Sequence, residues 1–336
     1  MLIKTKGIAQ LLQLQELEAL LLLVEAACTA SHFSLAVEAL RMGSFTSAPR
    51  IANEDLQDNE IEFPTRLSRD ELLERCRREQ RHAAVKRAFR RIPNTNSTAA
   101  DDRWNVMSKS CGEAVSSPDH LRVLQWNVLS QALGQLTDNF ACCPEEALEW
   151  SSRRYQMLEE IIEYCPDIIC LQEVDHFRFL SSALTSQGYT GIFVPKPDSP
   201  CIYIKGNNGP DGCAIFYRTN KFEQLGVAHS RVLEVWGVQS NQVAVLVNLR
   251  MRDTGREVSV ATTHLKARKG ALLSTLRDEQ GKDLLRFLNT NTQGRPLVLG
   301  GDFNAEPSEP VYMTLLGHQA LGLSSAYASA NDGLEP

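Results

Sequence analysis

Apolar residues form four short runs between residue 121 and residue 299, and a polar side chain follows each run. Runs of this length, bounded by Gly, Pro, Asn or Asp, are typical of buried β-strands. The run at 297–299 is followed by two glycines and then by Asp302 and Asn304. Glycines at a strand end allow another group to approach the backbone closely. Asp302 and Asn304 point to one side if the chain stays extended, although an Asp/Asn turn is the more common arrangement.

The other three apolar runs lead into Asn127, Glu173 and His264. A carboxylate buried at a strand end is costly unless it is paired or binds a metal. One such ending is weak evidence, because a single histidine is more often a hydrogen-bonded core residue than a catalyst. Four endings in one domain indicate a shared polar site.

The wider pattern of apolar and polar positions predicts alternating strands and helices, which is typical of an α/β domain over residues 120–336. The Asp-Thr-Gly turn at Asp253 predicts a hairpin between two of the strands. The predicted strands cover 121–129, 167–174, 213–218, 241–251, 257–265 and 297–301, and the predicted helices cover 144–164, 177–186 and 274–288.

Residues 1–119 are predicted to form a separate, partly helical or disordered region that ends in a linker. The run over 8–27 predicts an amphipathic helix, and its internal acidic residues argue against a signal peptide or a membrane span. Residues 43–62 are polar and predict a loop or a disordered segment. The mixed charges over 66–91 predict either a solvated helix, which we favour, or a basic arm for an acidic partner. Residues 94–102 form the polar linker.

Composition narrows the class of protein. A chain of 336 residues allows one large domain with a flanking region. Its net charge of −6 argues against a protein that coats nucleic acid by charge alone. Nine cysteines without a Cys-x-x-Cys pair lack the ligand spacing of a zinc site.

The residue types at the strand ends indicate phosphate chemistry. Glu, Asp and Asn offer the oxygen ligands that suit Mg²⁺, which keeps several waters and is completed by a substrate phosphate. A second carboxylate can activate water, while Asn and His donate hydrogen bonds to developing charge. Lys266 and Arg268 follow His264 and lie on its side of the chain if that chain is extended. Such a basic cluster beside carboxylates is suited to binding a phosphate.

Five motifs, taken together, resemble a known family. In order they are Gln-Trp-Asn127, Leu-Gln-Glu173-Val, Asn-Gly-Pro-Asp211-Gly-Cys-Ala-Ile, Thr-His264-Leu-Lys266-Ala-Arg268 and Gly-Asp302-Phe-Asn304. They resemble the successive motifs of the DNase-I-like endonuclease/exonuclease/phosphatase superfamily, and within it the deadenylase-related branch. The resemblance covers residues 121 to 336 and none of the N-terminal region.

The resemblance implies a four-layer α/β sandwich of two packed mixed sheets. It also implies a metal-dependent phosphoesterase in which Glu173 is the main Mg²⁺ ligand and Asn127 lies near the metal and the phosphate. Asp302 would orient or activate the attacking water, with Asn304 beside it. His264 would contact the scissile phosphate.

The resemblance further implies the substrate. The branch member that the motifs resemble most removes the 2′-phosphate from NADP⁺ and NADPH, and Lys196 and Arg268 match basic residues of its substrate pocket. Lys266 is a third substrate-binding candidate, from the basic cluster. On its own, Lys196 in Pro-Lys-Pro is typical of a plain loop. The alternative is a poly(A)-specific 3′ exoribonuclease acting on mRNA. We expect a monomer without integral membrane association, located in the cytoplasm, with mitochondrial association as the alternative.

The family pattern continues beyond position 336. It implies a later Asp in a strand and a closing Ser-Asp-His motif, so the C-terminal strands of the fold are expected to be missing from this chain. His318, in Leu-Gly-His-Gln, does not match that motif. A third interpretation is therefore a product of weak activity, or a non-catalytic binding or regulatory protein.

Overall fold

Two β-sheets dominate the part of the chain that the structure describes. The computed structural model describes residues 63–80, 121–135, 140 and 142–330. The strands in these ranges are β1 (Val123–Asn127), β2 (Ile168–Val174), β3 (Tyr189–Pro195), β4 (Gly212–Arg218), β5 (Phe222–Gln224), β6 (His229–Val235), β7 (Val238–Met251), β8 (Glu257–His264) and β9 (Leu297–Asp302).

Helices precede, connect and follow these strands. They are α1 (Arg69–Glu79), α2 (Gln131–Gly134), α3 (Glu145–Leu148), α4 (Trp150–Tyr164), α5 (Phe177–Ser186), α6 (Ala271–Thr292), α7 (Pro310–Leu316) and α8 (Ala326–Ala330), with a 3₁₀ turn at Pro200–Tyr203. None of these helices combines the length and the apolar character needed to cross a bilayer.

Both sheets are mixed. The first has the order β1-β2-β4-β3, in which β1 and β2 are parallel and the other pairs are antiparallel. The second has the order β5-β7-β8-β9, with β6 also paired to β7, and its parallel pair is β8 and β9. Each sheet therefore contributes one parallel pair of strands, and each pair carries two of the predicted polar ends.

Three apolar clusters define four layers. The middle cluster lies between the sheets and includes Ile168 and Ile215 from one sheet and Val245 and Val260 from the other. A second cluster packs α4 and α5 on the outer face of the first sheet. A third packs α6 and α7 on the outer face of the second sheet. This arrangement confirms the predicted four-layer α/β sandwich of two mixed sheets.

Most predicted elements are present with shifted ends, and the predicted hairpin is confirmed by the antiparallel pairing of β7 with β8. The prediction of one continuous helix over 144–164 is wrong. The backbone of Glu149 is extended and separates α3 from α4, and Pro144 is the N-cap of α3 rather than a residue of its first turn. Strands β3, β5 and β6 were not predicted from the sequence.

Helix α1 packs against α4. Its N-cap Ser68 accepts a hydrogen bond from Glu71 N, and the Glu71 carboxylate accepts one from Ser68 N at 2.8 Å, which is a capping box. Leu72 is fully buried, and Arg77 Nε lies 2.7 Å from Glu159 Oε1 of α4. This part of the charged run is therefore a helix with one packed face.

The remaining predictions for the N-terminal region lie outside the described residues. These are the helix over 8–27, the polar segment over 43–62, residues 81–91 of the charged run and the linker over 94–102.

Candidate active site

The polar strand ends from both sheets meet at one edge of the sandwich. Along β8 and β9, Val260 and Val298 face the core between the sheets, and the period-two alternation places His264 and Asp302 on that same face. His264 and Asp302 are also register partners at the ends of these parallel strands. The predicted convergence of His264 and Asp302 is thus present in the structure.

The side-chain amide of Asn127 joins the two sheets. Its Nδ2 donates to Glu173 Oε1 at 2.9 Å and to Asp302 Oδ2 at 2.8 Å. Its Oδ1 accepts a hydrogen bond from Leu129 N at 3.0 Å, which determines the orientation of the amide. Both carboxylates are therefore held by the two protons of one NH₂ group, and they lie next to each other.

Glu173 reaches this site because β2 contains a bulge. The alternation along β2 places Leu171 in the outer cluster, so a regular strand would turn Glu173 outward as well. The register with β4 instead shifts between Leu171 and Val174, and Glu173 has a left-handed backbone with φ of 55°. Its second oxygen, Oε2, accepts from Ser130 N at 3.2 Å. Bulges of this kind often redirect a side chain beside an active site.

His264 is buried and lies against Asp302. Its Nε2 is 3.7 Å from Asp302 Oδ2, and 5% of its surface is exposed. Burial and, secondarily, the charge of Lys196 lower its pKa below the ordinary value, so the ring is neutral at pH 7. Its Nδ1 is buried and has no hydrogen-bond partner within the described residues.

The chain turns after Asp302, so of the two arrangements that the sequence allowed here the structure has the Asp/Asn turn and not the extended segment. Asn304 has a φ of 51°, and its N–H donates to Asp302 Oδ1 at 3.0 Å, which closes an Asp/Asn turn. Its side-chain Nδ2 donates to Leu265 O at 3.0 Å. The backbone of Asn304 therefore orients the Asp302 carboxylate, and its side chain holds the residue that follows β8.

Lys196 is buried in an ion pair, unlike a plain loop residue. Its Nζ lies 2.6 Å from Asp211 Oδ2, and the two residues are 6% and 0% exposed. Burial alone would lower the pKa of Lys196, but the Asp211 carboxylate raises it above the ordinary value. The other Asp211 oxygen, Oδ1, accepts from Ser199 Oγ. The sequence analysis placed Asp211 in a motif but predicted no role for it. The signal that could have indicated one is Lys196, a basic residue only 15 positions away.

Lys266 and Arg268 lie on an exposed loop between β8 and α6. Arg268 has a φ of 80°, so the chain leaves the extended conformation at Arg268. Lys266 nevertheless interacts electrostatically with both Arg268 and Lys196. Crowding by protein atoms lowers the pKa of Lys266, although its side chain reaches solvent, and these two cations lower it further. Neither loop cation forms an ion pair within the described residues, so this site has positive charge available for an anion.

The oxygen atoms at the strand ends fit a hard divalent cation. Glu173 and Asp302 supply two half-buried carboxylates, with the Asn127 amide between them. In the described ranges, no group of three or more His, Cys, Asp or Glu side chains could enclose a metal. A cation held by one or two carboxylates and completed by water and phosphate needs no such cage. The donor set therefore fits a metal that is shared with substrate.

The fold and this site define the class of protein. A model of the endonuclease/exonuclease/phosphatase family matches residues 124–333, which include all eight predicted site residues. The chain belongs to this family.

Within the family, the chain is similar to nocturnins, as its motifs indicate. It is 52% identical to nocturnin from Drosophila melanogaster over 298 residues, which are 86% of this chain and 46% of that protein. It is 40% identical to Xenopus laevis nocturnin over 289 residues, which are 84% of this chain and 69% of that protein. The chain spans about half of the length of the fly and human nocturnins that it matches.

A solved structure shows the same fold. The human nocturnin catalytic domain with bound sulfate is 44% identical, with a TM-score of 0.58, over 64% of this chain and 76% of that one.

Proposed function

We propose that this chain carries the active site of a Mg²⁺-dependent phosphoesterase that removes the 2′-phosphate from NADP⁺ and NADPH. The observation that carries the proposal is the Asn127 amide, which holds Glu173 and Asp302 together from opposite sheets. The cations Lys196, Lys266 and Arg268 complete the chemistry required for a phosphate ester. The similarity to nocturnins supports the choice of NADP(H), and the sulfate in the human relative supports an anion site.

The proposed metal would lie at Glu173. Enzymes of this family generally use a divalent metal, and Mg²⁺ commonly binds through one or two carboxylates together with substrate phosphate. When bound, Mg²⁺ would polarise a phosphoryl oxygen of the substrate. Glu173 would hold this ion, while Asn127 keeps the Glu173 carboxylate oriented toward Asp302.

Asp302 is the proposed acceptor of the proton from the attacking water. Both of its oxygens are already oriented, Oδ2 by Asn127 and Oδ1 by Asn304 N. A fixed carboxylate can position water and remove its proton without first rearranging. His264 is neutral, so it can donate one N–H to a phosphoryl oxygen.

The three cations have different proposed roles. Lys266 and Arg268 are exposed and would bind the phosphate directly, with Arg268 able to donate two hydrogen bonds. Lys196 is buried and paired with Asp211, and its charge acts on His264 and Glu173, so it would influence the site electrostatically instead of binding the phosphate directly. Alanine at Arg268 should therefore raise KM more than it lowers kcat.

Glu173→Gln provides the direct test. It removes the charge that would hold the cation while keeping the shape of the side chain. We expect purified wild-type protein to release phosphate from NADPH in Mg²⁺, to stop in EDTA and to recover when Mg²⁺ is restored. Glu173→Gln should lose at least about a hundredfold in kcat, the usual scale for a removed electrostatic group. Shortening of an oligo(A) substrate is measured in parallel.

A matched control is Glu146→Gln, an exposed glutamate in the first turn of α3. It should retain wild-type turnover. Oligo(A) shortening without phosphate release from NADPH would replace the proposed substrate with RNA. Glu173→Gln with wild-type turnover, or turnover that survives EDTA, would refute the metal site.

A further inference from the structure

Arg277 is a buried arginine whose position the proposed chemistry does not explain. It lies on α6, and only 1% of its surface is exposed. Arginine is almost never fully buried unless its charge is paired and its N–H groups are bonded. Its contacts therefore indicate what it holds in place.

The guanidinium contacts two different segments. Its Nε and Nη2 donate to Glu309 Oε2, at 3.1 Å and 2.6 Å, where α7 begins. Its Nη1 donates to two backbone carbonyls, Lys266 O at 3.0 Å and Arg268 O at 2.8 Å. Glu309 therefore neutralises the charge of Arg277, and the Nη1 group of Arg277 binds the backbone of the loop that carries the two exposed cations.

A second residue of α6 holds the same loop. Lys266 N donates to Gln280 Oε1 at 3.0 Å. Gln280 lies almost one helical turn after Arg277, so both side chains are on the same face of α6. The backbone of residues 266–268 is consequently tied to one rigid helix by three hydrogen bonds.

The loop needs this support for two reasons. Arg268 has a left-handed backbone with φ of 80°, which a bulky side chain adopts only where the surroundings enforce it. The Lys266 side chain is also repelled by the charges of Arg268 and Lys196. Without a ligand, both strain and charge favour a different loop conformation.

We propose that Arg277 is a positioning residue that presents Lys266 and Arg268 to the phosphate of the substrate. The proposal rests on the proposed function only in requiring an anion at this site. Arg277 is too deeply buried to contact the substrate itself. It acts through the two carbonyls, while its charge is balanced by Glu309.

The test measures anion binding separately from turnover. Inorganic phosphate is titrated by calorimetry into the Mg²⁺-loaded protein, and KM and kcat for NADPH are measured on the same samples. We expect Arg277→Gln to weaken phosphate binding and to raise KM about tenfold or more, on the scale of a misplaced binding group. The kcat value should change much less.

Arg277→Lys covers the case in which the glutamine variant does not fold. A lysine can still pair with Glu309 but cannot also donate hydrogen bonds to both carbonyls. It should keep most of the stability and show the same weaker phosphate binding. Arg231→Gln is the matched control, because Arg231 also makes a bidentate pair with α6, at Asp283, away from the loop. It should reduce stability and leave phosphate affinity unchanged.

The decisive comparison uses the Lys266→Ala/Arg268→Ala background. If Arg277 acts through these side chains, Arg277→Lys should weaken phosphate binding no further there, since coupled residues are non-additive. A full additional loss in that background would overturn the proposal, as would wild-type phosphate affinity in Arg277→Lys. A protein that binds phosphate through Arg268 but does not hydrolyse NADPH would refute the proposed function and leave the role of Arg277 intact.

Discussion

The buried pair of Lys196 and Asp211 allows a quantitative prediction about stability. Lys196→Met removes the ammonium and leaves the Asp211 carboxylate with Ser199 Oγ as its main side-chain donor. Breaking one partner of a buried pair typically costs about 3–5 kcal/mol, because the remaining charge is uncompensated. Since both residues are nearly inaccessible to solvent, we expect Lys196→Met to lower the free energy of unfolding by this whole amount.

Removing both charges should cost less than the two single changes together. The double variant Lys196→Met/Asp211→Asn leaves no unpaired charge in the interior. Residues in direct contact usually show a coupling of about 0.5–3 kcal/mol, and for this pair we expect the upper part of that range. The single variants should also lower the melting temperature by roughly 6–20 °C, at about 2–4 °C per kcal/mol for a domain of this size.

The assay is urea unfolding followed by tryptophan fluorescence, with midpoints and slopes fitted for all four proteins. Lys282→Met is the matched control, because Lys282 makes ion pairs on the surface and its side chain is 45% exposed. Surface pairs contribute about 0–1 kcal/mol. If Lys196→Met and Lys282→Met have equal midpoints, or if the double variant is additive, the pair does not stabilise the fold as described.

Two further predictions concern ionisation elsewhere in the domain. Burial opposes the charge of Asp283, but hydrogen bonds from Arg231 and Glu234 N hold its pKa below the ordinary value. This stability is present above about pH 3.9 and is lost as the pH falls through the lowered folded pKa. The unfolding free energy of Asp283→Asn should therefore be lower than that of wild type at pH 7, and the two should converge below the folded pKa of Asp283. A difference between the two proteins that stays constant with pH would contradict this. Burial raises the pKa of Cys213 to about 12, whereas Cys142 is exposed. Iodoacetamide at pH 8 should label Cys142 and spare Cys213 in peptide mass spectra, and equal labelling would contradict the buried environment.

Local patterns in the sequence were sufficient for the main strands and for the polar residues at their ends. Short apolar runs ending in Asn127, Glu173, His264 and Asp302 predicted convergence, because strand alternation and sheet burial are encoded in adjacent residues. The edge strands β5 and β6 were not predicted. Their alternation is short and partly exposed, so it resembles a loop.

Interactions between distant segments could not be predicted in the same way. Lys196 and Asp211 are 15 positions apart, and they meet because β3 and β4 pair antiparallel with Pro195 opposite Gly212. That pairing depends on β3, which was not predicted. The Arg277 contacts similarly require knowledge of how α6 packs beside the loop after β8.

The bulge at Glu173 explains why the site depends on the whole sandwich. A regular β2 would leave Glu173 on the outer face, so the register with β4 is what brings it to Asn127. Asn127 then reaches across to Asp302, 175 positions away, on the second sheet. This contact needs close packing, and a Cβ on Gly300 would lie only 3.2 Å from Gln125 Cγ of the first sheet. A movement that separates the sheets would therefore separate the two carboxylates before either sheet unfolds. Activity should consequently be lost at smaller changes in sheet packing than those that reduce the secondary structure.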